Sequence, residues 1–330
     1  MSPAAPAASA PEKRAPRGPC RTAFITRIVS AARAWPWRKT LGTALICGIV
    51  PALSGCAWLE LHERRLALRP TPTQPQHVAT ALPAFRPGDT RELLALPGGE
   101  QLAMWWLPHA DAEAPTLLYL HGTFRNLYQN MPKIVALRDA GFAIVAVDYR
   151  GWGDSTALVP SEATIHADAL LGWRELQRRE PRAGRRVIYG HSMGGAVAVA
   201  LAATLQGGVE YDRLILESTF TRMPDVAAAA GFWGRIAAGA TNLAFDSLAR
   251  IGRIDAPILM LHGSADKTVP VELGRRLRDA APPGTRWVEF PGGTHSRLQS
   301  EVPEAYRAAL QDFVNPCKTR PAPPPRATSP

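Results

Sequence analysis

Cysteine is scarce in these 330 residues: Cys20, Cys47 and Cys56 fall near the start and only Cys317 lies beyond them. A body with one cysteine, set in a Pro-rich tail, has no internal disulfide framework. Charge is scarce too, at 20%, and its excess of +10 is lopsided. Residues 1–55 hold eight of the 38 Lys/Arg and one of the 28 Asp/Glu, so the rest carries 30 basic and 27 acidic residues. The basic balance belongs to the leader, and no basic helix with interleaved aromatics is present, so nucleic acid is not an expected partner. Zinc-type Cys/His spacing is missing, and no third carboxylate stands near Asp148 and Asp154; no metal or cofactor is expected. No internal repeat is found. What is there is a 46% hydrophobic, globular composition, long enough for one large domain or two small ones.

The first 55 residues read as an export leader. Residues 1–19 are Ala/Pro-rich and expected to be disordered, unless translation starts downstream of them. Arg33, Arg38 and Lys39 form a basic flank, and Leu41–Leu53 is a thirteen-residue uncharged run, closer to a signal-peptide core than to a full span of about twenty. The run ends Leu53-Ser54-Gly55-Cys56, which resembles a bacterial lipobox. That resemblance implies acylation of Cys56, a mature N-terminus there, and an outer-membrane destination, since Ala57 follows instead of Asp. Leu41–Leu59 is uncharged throughout, so an uncleaved signal anchor is the alternative. Either reading places the body outside the cytoplasm in a bacterial envelope, tethered to a membrane. Residues 56–90, rich in Pro and Arg, read as an extended tether, 91–314 as the folded domain, and 315–330 as a disordered tail.

Within 91–314 short apolar runs alternate with helical periodicity. Arg91–Leu96 and Gln101–Leu107 flank a Pro97-Gly98-Gly99-Glu100 turn. Thr116–Leu120, Phe142–Val147, Val187–Tyr189, Arg213–Leu216, Pro257–Leu261 and Arg286–Phe290 read as strands. Asn126–Ala140, Glu162–Glu180 and Glu301–Val314 read as amphipathic helices. Central strands apolar throughout, separated by such helices, imply an α/β fold with a mostly parallel sheet covered on both faces. Residues 219–255 break the rhythm and read as a small helical cap.

The chemistry centres on Gly190-His191-Ser192-Met193-Gly194-Gly195, placed between the Val187–Tyr189 strand and an apolar helix. Gly190-x-Ser192-x-Gly194 is the nucleophile-elbow pattern, a strained strand–helix turn that exposes the serine hydroxyl. A bare match is weak, so a nucleophile at Ser192 demands an acid and then a histidine after later strands. Asp266 lies just past Pro257–Leu261, and His295 on the glycine-rich loop past Arg286–Phe290. Order and placement both hold. His295 is expected to take the Ser192 proton and Asp266 to fix the imidazole. The backbone N–H groups of Met193 and Thr123 are the expected oxyanion donors. Glu217, after Arg213–Leu216, is a second place for the acid, though Asp266 is preferred. His121 and His262 read as local structural groups, Asp148 and Asp154 as turn residues, and His166 and Asp168 as solvated. Phe232, Trp233 and Phe245 read equally as an acyl pocket or as cap core.

Together with His121-Gly122, Asp148-Tyr-Arg-Gly-Trp-Gly-Asp-Ser155, His262-Gly-Ser-Ala-Asp266 and Gly293-Thr-His295, the elbow resembles the α/β-hydrolase superfamily over roughly residues 90–314. The nearest branch is that of membrane-associated acylglycerol and lysophospholipid lipases and acyl-protein thioesterases. The resemblance implies a serine hydrolase of ester or thioester bonds on lipid-like acyl substrates. A peptidase or amidase of the same fold and a non-enzymatic surface lipoprotein are the alternatives. That branch often has Asn after His-Gly, where this chain has Thr123; Asn126 keeps a later Asn.

Overall fold

The computed structural model describes residues 58–314, without the side chains of Trp233, Ala237 and Ala240. From Glu60 onward they belong to one compact unit. Eight strands form one sheet in the order β1-β2-β4-β3-β5-β6-β7-β8. They are β1 (Thr90–Ala95), β2 (Gln101–Leu107), β3 (Thr116–Leu120), β4 (Ala143–Asp148), β5 (Arg186–His191), β6 (Arg213–Glu217), β7 (Ile258–Gly263) and β8 (Arg286–Phe290). β1–β2 and β2–β4 pair antiparallel, and every other pair is parallel. The parallel strands therefore end along one edge, where reactive groups gather in such sheets.

The sheet's two faces follow from the two-residue period of its strands. Leu118, Leu120, Val145 and Val147 enter one core, with Trp173 and Leu176 of the helix Glu162–Arg179 and Val197 of the helix Met193–Ala202. Leu117, Tyr119, Ile144 and Ala146 enter the other, with Met131 and Ile134 of Leu127–Asp139 and Leu310 of Pro303–Val314. Each large apolar side chain buried this way contributes about 1.5–3 kcal/mol. The 219–255 stretch holds the expected small helices, Met223–Ala229, Phe232–Ala240 and Leu248–Ile251.

Residues 60–90 do not form the extended tether expected of them. Residues 58–68 are helical, and Leu68 is fully buried against the domain core. Pro75, at the first turn of the helix Pro75–Ala81, starts it with the fixed φ that helices favour. Between the two helices the chain crosses the sheet edge. Thr73 N–H donates to the Gly153 carbonyl and Gly153 N–H to the Thr71 carbonyl, both at 3.0 Å. Asp89 then accepts both Arg138 terminal nitrogens at 2.9 Å. Prolines at 70, 72 and 75 keep this strap extended only locally, and backbone bonds to Gly153 dock it on the body. The leader, Cys56 and the tail with Cys317 lie outside the described residues. Among the described residues, no helix is long and apolar enough to cross a membrane.

Candidate active site

Ser192 caps the helix Met193–Ala202 directly after β5, at φ 57° and ψ −123°. A non-glycine residue there is strained by about 1–3 kcal/mol. Its surroundings hold it: Ser192 N–H donates to the Glu217 carbonyl, and the Ser192 carbonyl accepts from Thr219 Oγ1, each at 2.9 Å. The elbow glycines are demanded by contact. A Cβ on Gly190 would overlap the Gly194 carbonyl, and one on Gly194 the Leu120 carbonyl of the neighbouring strand.

His295, on the loop after β8, brings Nε2 to 2.9 Å from Ser192 Oγ and Nδ1 to 2.7 Å from Asp266 Oδ2. A carboxylate can only accept, so Nδ1 carries the proton and the Nε2 lone pair faces the serine hydroxyl. Asp266 is buried after β7, and its Oδ1 accepts the N–H groups of Thr268 and Val269 at 2.8 Å. Burial alone pushes this carboxyl up. The imidazoles of His262 and His295 and the Val269 N–H outweigh burial and hold it below the ordinary carboxylate range. The structure thus brings together all three residues the sequence singles out.

Met193 is the first residue of its helix, so its N–H has no intrahelical acceptor. Thr123 lines, with Ser192, Gly122, Phe124 and His295, a cleft of about 260 Å³. The loop bearing Thr123 is held from outside the sheet. Phe124 has φ 72°, its carbonyl accepts Thr71 Oγ1 at 2.8 Å, and the Arg69 guanidinium lies 4.7 Å from its ring centre. Asn126 caps the helix Leu127–Asp139 through Gln129 N–H at 3.2 Å and does not line the Ser192 cleft. Thr71 is invisible to motif reading because it lies 53 residues from the group it holds.

Glu217 is engaged elsewhere. It is fully buried and paired with Lys133 and Tyr189, and it accepts Tyr306 Oη at 2.7 Å. Burial pushes it up, but the Lys133 charge overrides this and holds it at about 2. His191 is a second residue missed by motif reading. Burial, then the Lys133 charge, lowers it to about 3, so the ring is neutral, and its Nε2–H donates to the His295 carbonyl at 2.9 Å. His191 therefore steadies the loop that carries His295.

His121 and His262 are structural, as read. Burial lowers His121 to about 4; its Nδ1 meets the Gly122 carbonyl at 2.6 Å, and its ring lies 4.5 Å from that of Tyr149. His262 Nε2 reaches the Val269 carbonyl at 2.9 Å. Asp148 accepts Leu127 N–H at 2.9 Å, and Asp154 accepts Tyr128 Oη at 2.6 Å. Asp168 is not solvated: it is fully buried and accepts Arg150 N–H at 2.8 Å, because its helix face packs over the turn after β4. His166 is likewise largely covered, with its ring edge-on to Phe245 at 6.0 Å. Phe245 is buried in the domain core and Phe232 is exposed; neither lines the Ser192 cleft, and the Trp233 side chain lies outside the described residues. Among the described residues no cluster of His, Cys, Asp and Glu is arranged to hold a metal.

Residues 112–249 match the family described as serine aminopeptidase (S33). An uncharacterized protein of Mycobacterium tuberculosis is 30% identical over 239 residues, 71% of this chain and 80% of its own length. The chain belongs to the α/β-hydrolase superfamily. This hydrolase-fold chain is also 34% identical over 196 residues to lysophosphatidylserine lipase ABHD12 of Danio rerio, covering 54% of this chain. It spans about half the length of that lipase and its mammalian counterparts. An esterase of Pyrococcus furiosus superposes with a TM-score of 0.57 at 19% identity, over 74% of this chain and 93% of the esterase, which speaks to the fold.

Proposed function

We propose that the chain hydrolyses carboxylic esters or thioesters of lipid-derived acyl groups through a covalent acyl intermediate on Ser192. The observation that carries this is the hydrogen-bond chain Ser192 Oγ–His295–Asp266, with the imidazole in the tautomer a general base requires. Ser192 Oγ attacks the acyl carbonyl carbon as His295 Nε2 takes its proton. The carbonyl π electrons move onto oxygen, and the N–H groups of Met193 and Thr123 donate hydrogen bonds to that oxyanion. The tetrahedral intermediate collapses, the bond to the leaving oxygen or sulfur breaks, and His295 returns the proton to that atom. Water then repeats the sequence, releasing the acid and restoring Ser192. Asp266 stays ionised throughout and offsets the imidazolium charge.

The lipid reading is supported by the name of the relatives and by the leader, which implies a membrane tether acylated at Cys56 and a site in the cell envelope. Peptide or amide cleavage is the second reading, favoured by the family description. An aminopeptidase needs an acid to receive the substrate's free amine, and among the described residues the Ser192 cleft is lined by Arg125 and by no carboxylate, which favours the ester.

Fluorophosphonate labelling beside matched esters, thioesters and aminoacyl arylamides tests the reading. Label and ester turnover in the wild type, both lost in Ser192→Ala, are expected. A folded wild type that takes no label and turns over none of the panel contradicts it, and arylamide turnover exceeding ester turnover favours the second reading. For the leader, radiolabelled palmitate is expected in the wild type and not in Cys56→Ala; equal incorporation contradicts the lipobox.

A further inference from the structure

A buried ion pair adjoins the elbow and takes no part in the proposed chemistry: Lys133 of the helix Leu127–Asp139 against Glu217 at the end of β6. Two charges taken out of water gain little net stability over an apolar pair of similar size, so stability does not explain it. Its contacts point elsewhere. Glu217 Oε2 accepts Tyr306 Oη at 2.7 Å and also Tyr189 Oη, which fixes the carboxylate. Lys133 Nζ pairs with Glu217 Oε1 and donates to Gln299 Oε1 at 2.9 Å. Gln299 Nε2 in turn donates to the Ser296 carbonyl, one residue past His295, at 3.4 Å. The order of atoms is forced. An ammonium only donates, so Gln299 turns its carbonyl oxygen to Lys133, and its NH2 is left for the loop.

The same Glu217 holds the nucleophile, because its main-chain carbonyl accepts Ser192 N–H at 2.9 Å. Both partners of the proton transfer are thus referred to one residue, Ser192 through its main chain and the His295 loop through its side chain. Glu301 also grips that loop, accepting Thr294 N–H at 2.8 Å and Thr294 Oγ1 at 2.7 Å. But Glu301 stands on the short helix Leu298–Glu301 just past the loop, so its grip moves with it. Gln299, on that same helix, reaches the buried pair. We propose that Glu217, Lys133 and Gln299 form a hydrogen-bond relay that sets the position of His295 over Ser192, with Lys133 and Gln299 as positioning residues. The proposal rests on the ester-hydrolase reading of Ser192. Neither residue touches a reacting atom; both act through His295. The step most sensitive to a displaced imidazole is the return of the proton. An alkyl alcohol leaves only as His295 Nε2–H protonates its oxygen while the C–O bond breaks, whereas an acidic phenol leaves as its anion.

The full chain is assayed on two esters of one short acyl group, an alkyl ester and a nitrophenyl ester, with end-point fluorophosphonate labelling to count intact sites. In Gln299→Leu, kcat/KM should fall roughly 10-fold for the alkyl ester, carried by kcat with KM little changed, and roughly twofold for the nitrophenyl ester. The ratio of the two cancels any loss of folded protein. Gln299→Glu keeps an acceptor for Lys133 but has no donor for the Ser296 carbonyl, and should lower the ratio as far. Lys133→Met/Glu217→Gln removes both charges at once, so neither is stranded in the core, and should lower the ratio by a similar factor. Adding Gln299→Leu to that pair should lower it no further, because links of one chain do not add. An unchanged ratio in either Gln299 variant, equal falls for the two esters, or a full further loss in the triple variant overturns the relay. Should the buried double variant fail to fold, the Gln299 variants decide alone. Wild-type turnover of both esters with a ratio unmoved by Gln299→Leu removes the relay alone. Turnover of neither, with no fluorophosphonate label, removes the ester-hydrolase reading as well.

Discussion

The loops at the strand ends and the strap at 69–74 meet at the same site but are held by different means. Ser192, Asp266 and His295 each sit within a few residues of a parallel strand's end, and their positions are fixed by the sheet register. His191, for example, pairs with Glu217 across β5 and β6. The strap has no strand to extend. It is held by a handful of bonds to Gly153, Phe124 and Asn126 and by the burial of Leu68 at one end. The strand ends thus position the proposed reacting atoms, and the strap holds the loop that bears Thr123. Damage to the first should abolish chemistry, and damage to the second should only blunt it.

The largest effect is expected where the strand-end set is broken at its acid. Asp266→Asn leaves the shape but presents the wrong hydrogen-bond partner to His295 Nδ1, and kcat on a soluble ester should fall by roughly 10³–10⁴-fold at neutral pH. A loss below tenfold would reopen Glu217 as the acid. Next comes the elbow. Gly194→Ala drives a methyl into the Leu120 carbonyl, and should lower unfolding free energy in urea by about 1–3 kcal/mol along with activity. An unchanged midpoint would mean that the close approach of β3 and the elbow is relaxed in solution.

The strap gives an intermediate effect. Thr71→Val keeps the shape and removes the hydroxyl that holds the Phe124 carbonyl. A fall of roughly 5–10-fold in kcat with KM little changed, restored by Thr71→Ser, is expected for one lost hydrogen bond behind an oxyanion donor. An equal fall in Thr71→Ser would make the strap a packing element alone. The smallest effect belongs to the helix Phe232–Ala240. Ile236 is 55% exposed on the helix Phe232–Ala240, and Ile236→Ser should shift stability by no more than about 0.5 kcal/mol.

Acid sharpens the same contrast through stability. His121 and His191, both packed beneath the strand ends, are lowered to about 4 and about 3 by burial. The unfolded chain, with histidines near 6.5, binds more protons below that pH, so the folded state loses stability as pH falls from about 6.5 toward 3. The urea midpoint should drop over that window, and less steeply in His191→Gln. A midpoint flat down to pH 4 would mean that these rings reach water.

Most of this site could be read from the sequence because its rules are local. The elbow announces itself through glycines that contact permits no substitute for, and Asp266 and His295 follow apolar runs whose ends are visible. The helix Val271–Asp279 is less legible, because five of its nine residues are charged and only Val271, Leu273, Gly274 and Leu277 turn inward. The strap misleads because prolines signal extension without saying what the chain lies against. His191 and Thr71 leave no trace at all: one is the variable letter of the elbow pattern, and the other acts across 53 residues. Asp168 reads as a solvated helical acid because its partner, Arg150, belongs to a turn after another strand.

The central claim is that the Ser192 hydroxyl, activated by His295 and Asp266, takes the acyl group. Acid-quenching the full chain during turnover of a slowly released aryl ester, then mapping the added acyl mass by peptide mass spectrometry, tests it directly. The account predicts one acyl group on Ser192, building up as fast as the aryl alcohol is released in the first turnover, and absent from Ser192→Ala. Acyl mass on another residue, or the same burst from folded Ser192→Ala, would contradict it.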